Sequence, residues 1–182
     1  LNNPESNNGS FVSTADGSVG NITMDKDANL ALNGTGSIGN VNTTENGTGD
    51  ILIGNDKSGS VTANNLGSED KAFGSVSVGA GSSVTVKNIL NATKVALEKK
   101  AEVIASVINS PELKAIGDDI KIKAENSVLG GLLSGNNSTL ESKTLELADN
   151  FNVLGGAKVK AKHLSLKGKM RFADPDWNSN AS

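Results

Sequence analysis

Apolar residues in this chain recur in pairs with one polar or small residue between them. Ile22-Thr23-Met24, Leu30-Ala31-Leu32, Ile51-Leu52-Ile53, Val76-Ser77-Val78 and Val84-Thr85-Val86 are of this kind, each bounded by Gly, Asn, Asp or Ser. Alternation over so few residues predicts short strands with one buried face. The intervening Gly and Asn predict tight corners, because both tolerate positive φ.

These units repeat. GSVGNI at 17–22 returns as GSIGNV at 36–41, with weaker echoes in GSVTAN from Gly59 and GSVSV from Gly74. The first offset is 19 residues, and the same step carries Val76 and Val78 onto Val95 and Leu97, and Leu145 and Leu147 onto Leu164 and Leu166. A step of 25 carries Ile120 and Ile122 onto Leu145 and Leu147. Short strands and corners with a 19–25-residue period predict a mainly β fold, a parallel β-solenoid of about eight or nine coils, roughly 40 Å long. A β-sandwich is the alternative, since frequent turn signals also fit it. It requires no similarity at a fixed offset, however, and usually draws on more aromatic core.

One segment breaks the pattern. Residues 91–109 (NATKVALEKKAEVIASVIN) lack Gly and are rich in Ala, Glu, Lys and Leu. Leu90, Leu97, Ala101, Ile104 and Ile108 fall at helical spacing, and Pro111 follows. An amphipathic helix of about five turns is expected here, although the 19-residue step places Val95 and Leu97 on a strand. The organisation that follows is a single β-rich domain. It comprises a polar tail at 1–14, Gly/Asn-rich coils at 15–90, the helix, further coils at 112–172 and a tail at 173–182.

With 182 residues, one domain is expected. Aromatics are 3% of the chain, so its core is built from Val, Ile, Leu and Ala. The absence of Cys removes any disulfide framework, thiolate metal site or cysteine nucleophile. A single histidine, His163, rules out a multi-histidine metal site or a histidine relay and reads as a surface side chain. No apolar run approaches the ~20 residues of a membrane span. The net charge of −3 gives no sign of a nucleic-acid partner. Acidic pairs at Asp25/Asp27, Asp118/Asp119 and Asp174/Asp176 could offer oxygen ligands to calcium, but none matches a calcium-loop pattern. They read as solvated turn carboxylates, and no cofactor is expected. Nothing in the linear sequence selects a carboxylate pair for glycoside cleavage, and the chain is not expected to be an enzyme.

Two features point outward. The Asn-x-Ser/Thr sequence, an acceptor for glycans in secreted chains, occurs at Asn8, Asn21, Asn33, Asn42, Asn46, Asn91, Asn137 and Asn180. Charge is also unevenly spread. Residues 1–74 hold nine carboxylates against three lysines, a balance of −6, and the remainder balances at +3. Lys158, Lys160, Lys162, Lys167, Lys169 and Arg171 form a run without an acid. In a solenoid, position in sequence is position along the axis, so the rod is acidic at one end and basic at the other. Head-to-tail contact between copies would join opposite charges, and a heterologous contact that does not close makes a filament. Leu1, Phe11, Phe172 and Trp177 are candidate anchors where polar tails meet a neighbouring subunit.

The repeats GSVGNI, GSIGNV, DIKIKAENSVLGG and TLELADNFNVLGG resemble the β-helical passengers of bacterial autotransporter and two-partner-secretion adhesins. The resemblance covers about residues 15–172 and lies in texture: Gly/Asn/Ser/Thr-rich coils, few aromatics, no Cys. It implies a secreted, non-enzymatic surface protein. No signal peptide opens the chain, so a mature form or an excised segment is expected. Two functions follow as expectations: a structural protein that polymerises with copies of itself into an extracellular fibre, sheath or surface layer, or an adhesin segment that binds cells or cell-surface glycans.

Overall fold

Stacking of like on like is the rule of this fold. In a computed structural model, which describes residues 10–13, 16–54 and 57–173, every strand pairs in parallel with the strand one coil away. The strands are β1 (Ser10–Ser13), β2 (Gly17–Val19), β3 (Ile22–Met24), β4 (Asn29–Leu32), β5 (Thr35–Thr43), β6 (Thr48–Ile53) and β7 (Ser60–Leu66). They continue as β8 (Phe73–Val78), β9 (Ser83–Leu97), β10 (Glu102–Ile116), β11 (Lys121–Ser134), β12 (Thr139–Leu154), β13 (Lys158–Leu166) and β14 (Met170–Ala173). Together they make a β-solenoid of about eight coils.

Two ladders run along the rod. One, face A, is β1-β4-β6-β8, then the second halves of β9, β10, β11 and β12, then β14. The other, face B, runs from β2 and β3 through β5, β7 and the first halves of β9 to β12, ending on β13. Face A holds nine strands and face B eight rungs, because both the first and the last described strands lie on face A.

The core is a bundle of aliphatic rows, each residue resting on its equivalent in the coil below. Leu32, Ile53, Val78, Leu97, Ala115, Leu133, Val153 and Phe172 form one such row. Another passes from Val95 through Leu113 and Gly131 to Phe151, which is fully buried. Gly131 has φ +116°, and a Cβ there would lie 2.0 Å from the Leu113 carbonyl oxygen, so only glycine fits beneath the ring. Among the described residues, Ser110 alone buries a side-chain hydroxyl with no hydrogen-bond partner, a local cost of about 1–3 kcal/mol.

The expected helix over 91–109 does not form. The segment is the end of β9, a turn at 98–101 and the start of β10. The outcome at Ile104 gives the reason: it lies 36% exposed on the outer face, while Val103, Ala105 and Ile108 are buried. Burial therefore follows period two, not 3.6. Parallel ladders run along both sides of the segment, and this tertiary pairing outweighs a modest helix propensity.

The repeat offsets divide in the same way. The 19-residue steps are true rungs, with Gly17 on Gly36, Val76 on Val95 and Leu145 on Leu164. The 25-residue step from Ile122 is not, since Ile122 pairs with Leu140. That echo linked one part of a coil with another. Genuine 25-residue rungs do occur, from Ile51 to Val76 and from Gly36 to Val61.

One corner is built identically through five coils. Gly81, Lys100, Asp119, Asn137 and Gly156 all have φ between +57° and +78°. The amides of Gly81, Lys100 and Asp119 each donate to a carbonyl of the next coil, at 3.1, 2.8 and 2.9 Å. Three of these left-handed residues are not glycine, so composition did not mark the corner.

Candidate functional site

Among the described residues, the strands nearest the two ends are the least covered. At the far end, β13 and β14 pair with β12 on one side, and no described strand pairs with their other edge. Their inward rows consequently lie open. Leu164 is 48% exposed, Leu166 53% and Phe172 66%, although each continues a row that is buried one coil earlier, as Leu145, Leu147 and Val153. At the near end, Val19 is 45% exposed. Open sheet edges with apolar rows are what soluble solenoids normally cover.

Near the first rung the inward row carries no side chain, since Gly17 and Gly36 occupy it before Val61 takes over. The result is a notch of about 200 Å³ lined by Leu32, Ile38, Val61, Val19 and the glycines. The GSVGNI/GSIGNV repeat gains a physical meaning here. A Cβ on Gly36 would sit 2.0 Å from the Gly17 carbonyl oxygen, and one on Gly39 would sit 2.4 Å from Asn21 Oδ1. Gly36 lets the backbones of neighbouring coils approach, and Gly39 leaves room for an asparagine ladder. Asn40 N donates to Asn21 Oδ1 at 2.9 Å, Asn65 Nδ2 to Asn40 Oδ1 at 2.7 Å, and Ile89 N to Asn65 Oδ1 at 3.3 Å. Sequence reasoning missed this ladder; its only trace was the Gly-Asn at the same place in both repeats.

The basic run is resolved into two groups. Lys160 and Lys167 reach back one coil to Glu141 and Glu146, each at 2.7 Å. The hydrogen bond and charge of Lys160, helped by Lys123, hold the exposed Glu141 carboxyl below its ordinary range. Such exposed pairs add little to stability. Lys158, Lys162, Lys169 and Arg171 have no ion pair among the described residues. Phe172 is at the exposed end, and Phe11 occupies the register position beside Leu30 in β1. Leu1 and Trp177 lie outside the described residues.

The sequons fall into three classes. Asn21, Asn42, Asn46 and Asn137 are exposed, though Asn21 and Asn46 use their carbonyl oxygens in hydrogen bonds to Asn40 N and Ala72 N. Asn33 is buried, and the half-buried Asn91 donates its amide nitrogen to the Ser68 carbonyl at 2.6 Å. Asn8 and Asn180 lie outside the described residues.

The remaining candidates take structural places. Asp118 accepts a hydrogen bond from Asn136 N at 2.8 Å, and Asp119 is one of the left-handed corners. Asp25 and Asp27 are exposed at a turn, and Asp174 and Asp176 lie outside the described residues. Among the described residues no three His, Asp or Glu side chains gather as a metal site would require. His163 is exposed on β13 beside Thr144. A lateral groove of about 440 Å³ is lined by Lys94, Glu112, Lys114, Asp149 and Asn150, with Val95, Leu113 and Gly131 at its floor.

No protein-family model, curated protein or solved structure matches this chain.

Proposed function

We propose that this protein is a non-enzymatic, extracellular structural module that joins copies of itself head to tail into a fibre, sheath or surface layer. One observation carries the reading: the inward rows end on uncovered Leu164, Leu166 and Phe172. Burying such side chains contributes about 1.5–3 kcal/mol each, and another coil is the surface whose spacing and pattern match. Charge supports the same arrangement. Residues 158–173 carry six cations and no carboxylate, whereas residues 16–54 hold five carboxylates and one lysine. The likeness to β-helical adhesin passengers adds the extracellular setting. The lateral groove favours a second reading, an adhesin segment that binds glycans through its side, though it lacks the aromatic platforms sugars usually stack upon.

Sedimentation velocity separates them. The structural reading expects the weight-average size to rise with concentration at low salt, and to fall as salt screens the opposed ends over a Debye length of about 3 Å at 1 M. A monomer at every concentration and ionic strength would remove that reading.

A further inference from the structure

Face B changes character along the rod. In β5, β7 and β9 its two outward columns are all hydroxyls, Thr35, Ser60 and Ser83 in one and Ser37, Thr62 and Thr85 in the other. From β11 to β13 the same columns run Lys121–Thr139–Lys158 and Lys123–Glu141–Lys160. A third column follows at the bend, where Lys143 forms an ion pair with Glu125 and Lys162 stands one coil beyond Lys143. These nine positions hold six lysines against two carboxylates. Lys121, Lys123, Lys158 and Lys162 are exposed and have no ion pair among the described residues. We infer that this patch binds an acidic polysaccharide, one whose sugars carry carboxylate or sulfate groups, along the side of the rod. The inference deepens the glycan-binding reading given above and does not need copies of the chain to join.

Spacing and charge carry it. Rungs are about 4.8 Å apart and alternate residues of a strand about 6.6 Å apart, so each lysine has another within a Debye length, about 8 Å at physiological salt. The six therefore act on a polyanion together. The hydrogen bond and charge of Lys160, with the charge of Lys123, already hold the exposed Glu141 carboxyl below its ordinary range, which is how one carboxylate responds to nearby cations. Like charges on neighbouring strands repel, and a chain of anions laid across them relieves that repulsion.

An extended polysaccharide with regularly spaced acidic groups presents such a chain. Charge then takes the place of the aromatic platforms on which neutral sugars stack. None of the nine side chains is aromatic, as stacking on single-stranded nucleic acid requires. None is a large apolar group of the kind that enters a membrane interface. The two columns alternate with the inward Ile122 and Leu140 and point away from the core, so a further coil on the axis would leave them open.

Anisotropy of labelled polygalacturonate, dextran sulfate and neutral dextran, titrated with the full chain at low salt, tests this. One or both acidic polymers should bind, the tighter of them identifying the anionic group, and binding should weaken as salt rises. Lys121→Thr/Lys123→Thr/Lys162→Thr should weaken it about tenfold. Lys57→Thr/Lys99→Thr/Lys114→Thr removes the same charge away from the patch and should cost less than about threefold. Glu141→Gln should strengthen binding about threefold, a gain that a damaged fold would not produce. Equal losses from the two triple variants, no gain from Glu141→Gln, or tighter binding to a single-stranded oligonucleotide or to phosphatidylserine vesicles would each overturn the inference. Dextran bound as well as the acidic polymers would overturn it while leaving the glycan-binding reading intact. No binding to any member of a mixed array of neutral and acidic glycans would overturn both.

Discussion

Ile108→Asp destabilises the chain by about 3–5 kcal/mol, the scale for leaving an uncompensated charge in a core, whereas Ile104→Asp stays within about 0.5 kcal/mol of the parent. The two isoleucines are four residues apart, one helical turn, and a helix over 91–109 would put both on its buried face. In the solenoid they part company. Ile108 rests on Leu90 and supports Ser127, and is buried in the row that leads to Leu145. Ile104 points outward between Thr85 and Lys123, where a carboxylate stays hydrated and gains a cationic neighbour. Urea unfolding followed by circular dichroism measures both. Equal losses would contradict the strand assignment. Solenoid coils interact mainly with their neighbours, so the loss at Ile108 is expected to begin in the coils around β10.

Phe172→Asp weakens self-association by about 100-fold or more while leaving the monomer folded. The ring lies at the end of an inner row with most of its surface open, so the isolated rod loses little by its removal. At a head-to-tail junction the same ring would be covered. Losing about 1.5–3 kcal/mol of apolar burial, with a carboxylate to desolvate in addition, brings the change to about 3 kcal/mol or more, and each 1.4 kcal/mol is about tenfold in affinity. Phe172→Leu keeps an apolar group in the row and should retain most of the association. Sedimentation equilibrium reads the dissociation constants, and a thermal melt checks the monomer. If Phe172→Asp associates as well as the parent, the exposed row is not the contact.

Much of this architecture is legible in the chain itself, because a solenoid writes its period into the sequence. Val76 and Val78 recur as Val95 and Leu97, and in space one pair rests on the other. What failed had a common cause. At 91–109 local propensity pointed to a helix, and only the ladders on either side, far away in sequence, decide otherwise. The 25-residue echo at Ile122 failed because every strand of a coil uses the same apolar-x-apolar token, so tokens from different parts of the coil align by accident. The left-handed corner escaped notice because Lys100, Asp119 and Asn137 stand where glycine would have announced it.

The candidate site was half legible. The run from Lys158 to Arg171 was visible as charge, but linear sequence could not tell that Lys160 and Lys167 turn back to Glu141 and Glu146. Nor could it tell that the same strands present Leu164, Leu166 and Phe172 uncovered. Alternation in β13 looks like that of any inner strand, and only the absence of a described strand beyond it converts a core row into a surface. The sequons likewise needed the fold: Asn33 and Asn42 carry the same motif, yet one is buried and the other exposed.

Electron microscopy of the purified chain at low salt tests the central claim most directly. End-to-end joining predicts unbranched filaments with an axial subunit repeat of about eight coils, roughly 40 Å. Separate short rods that never lengthen as concentration rises would contradict it.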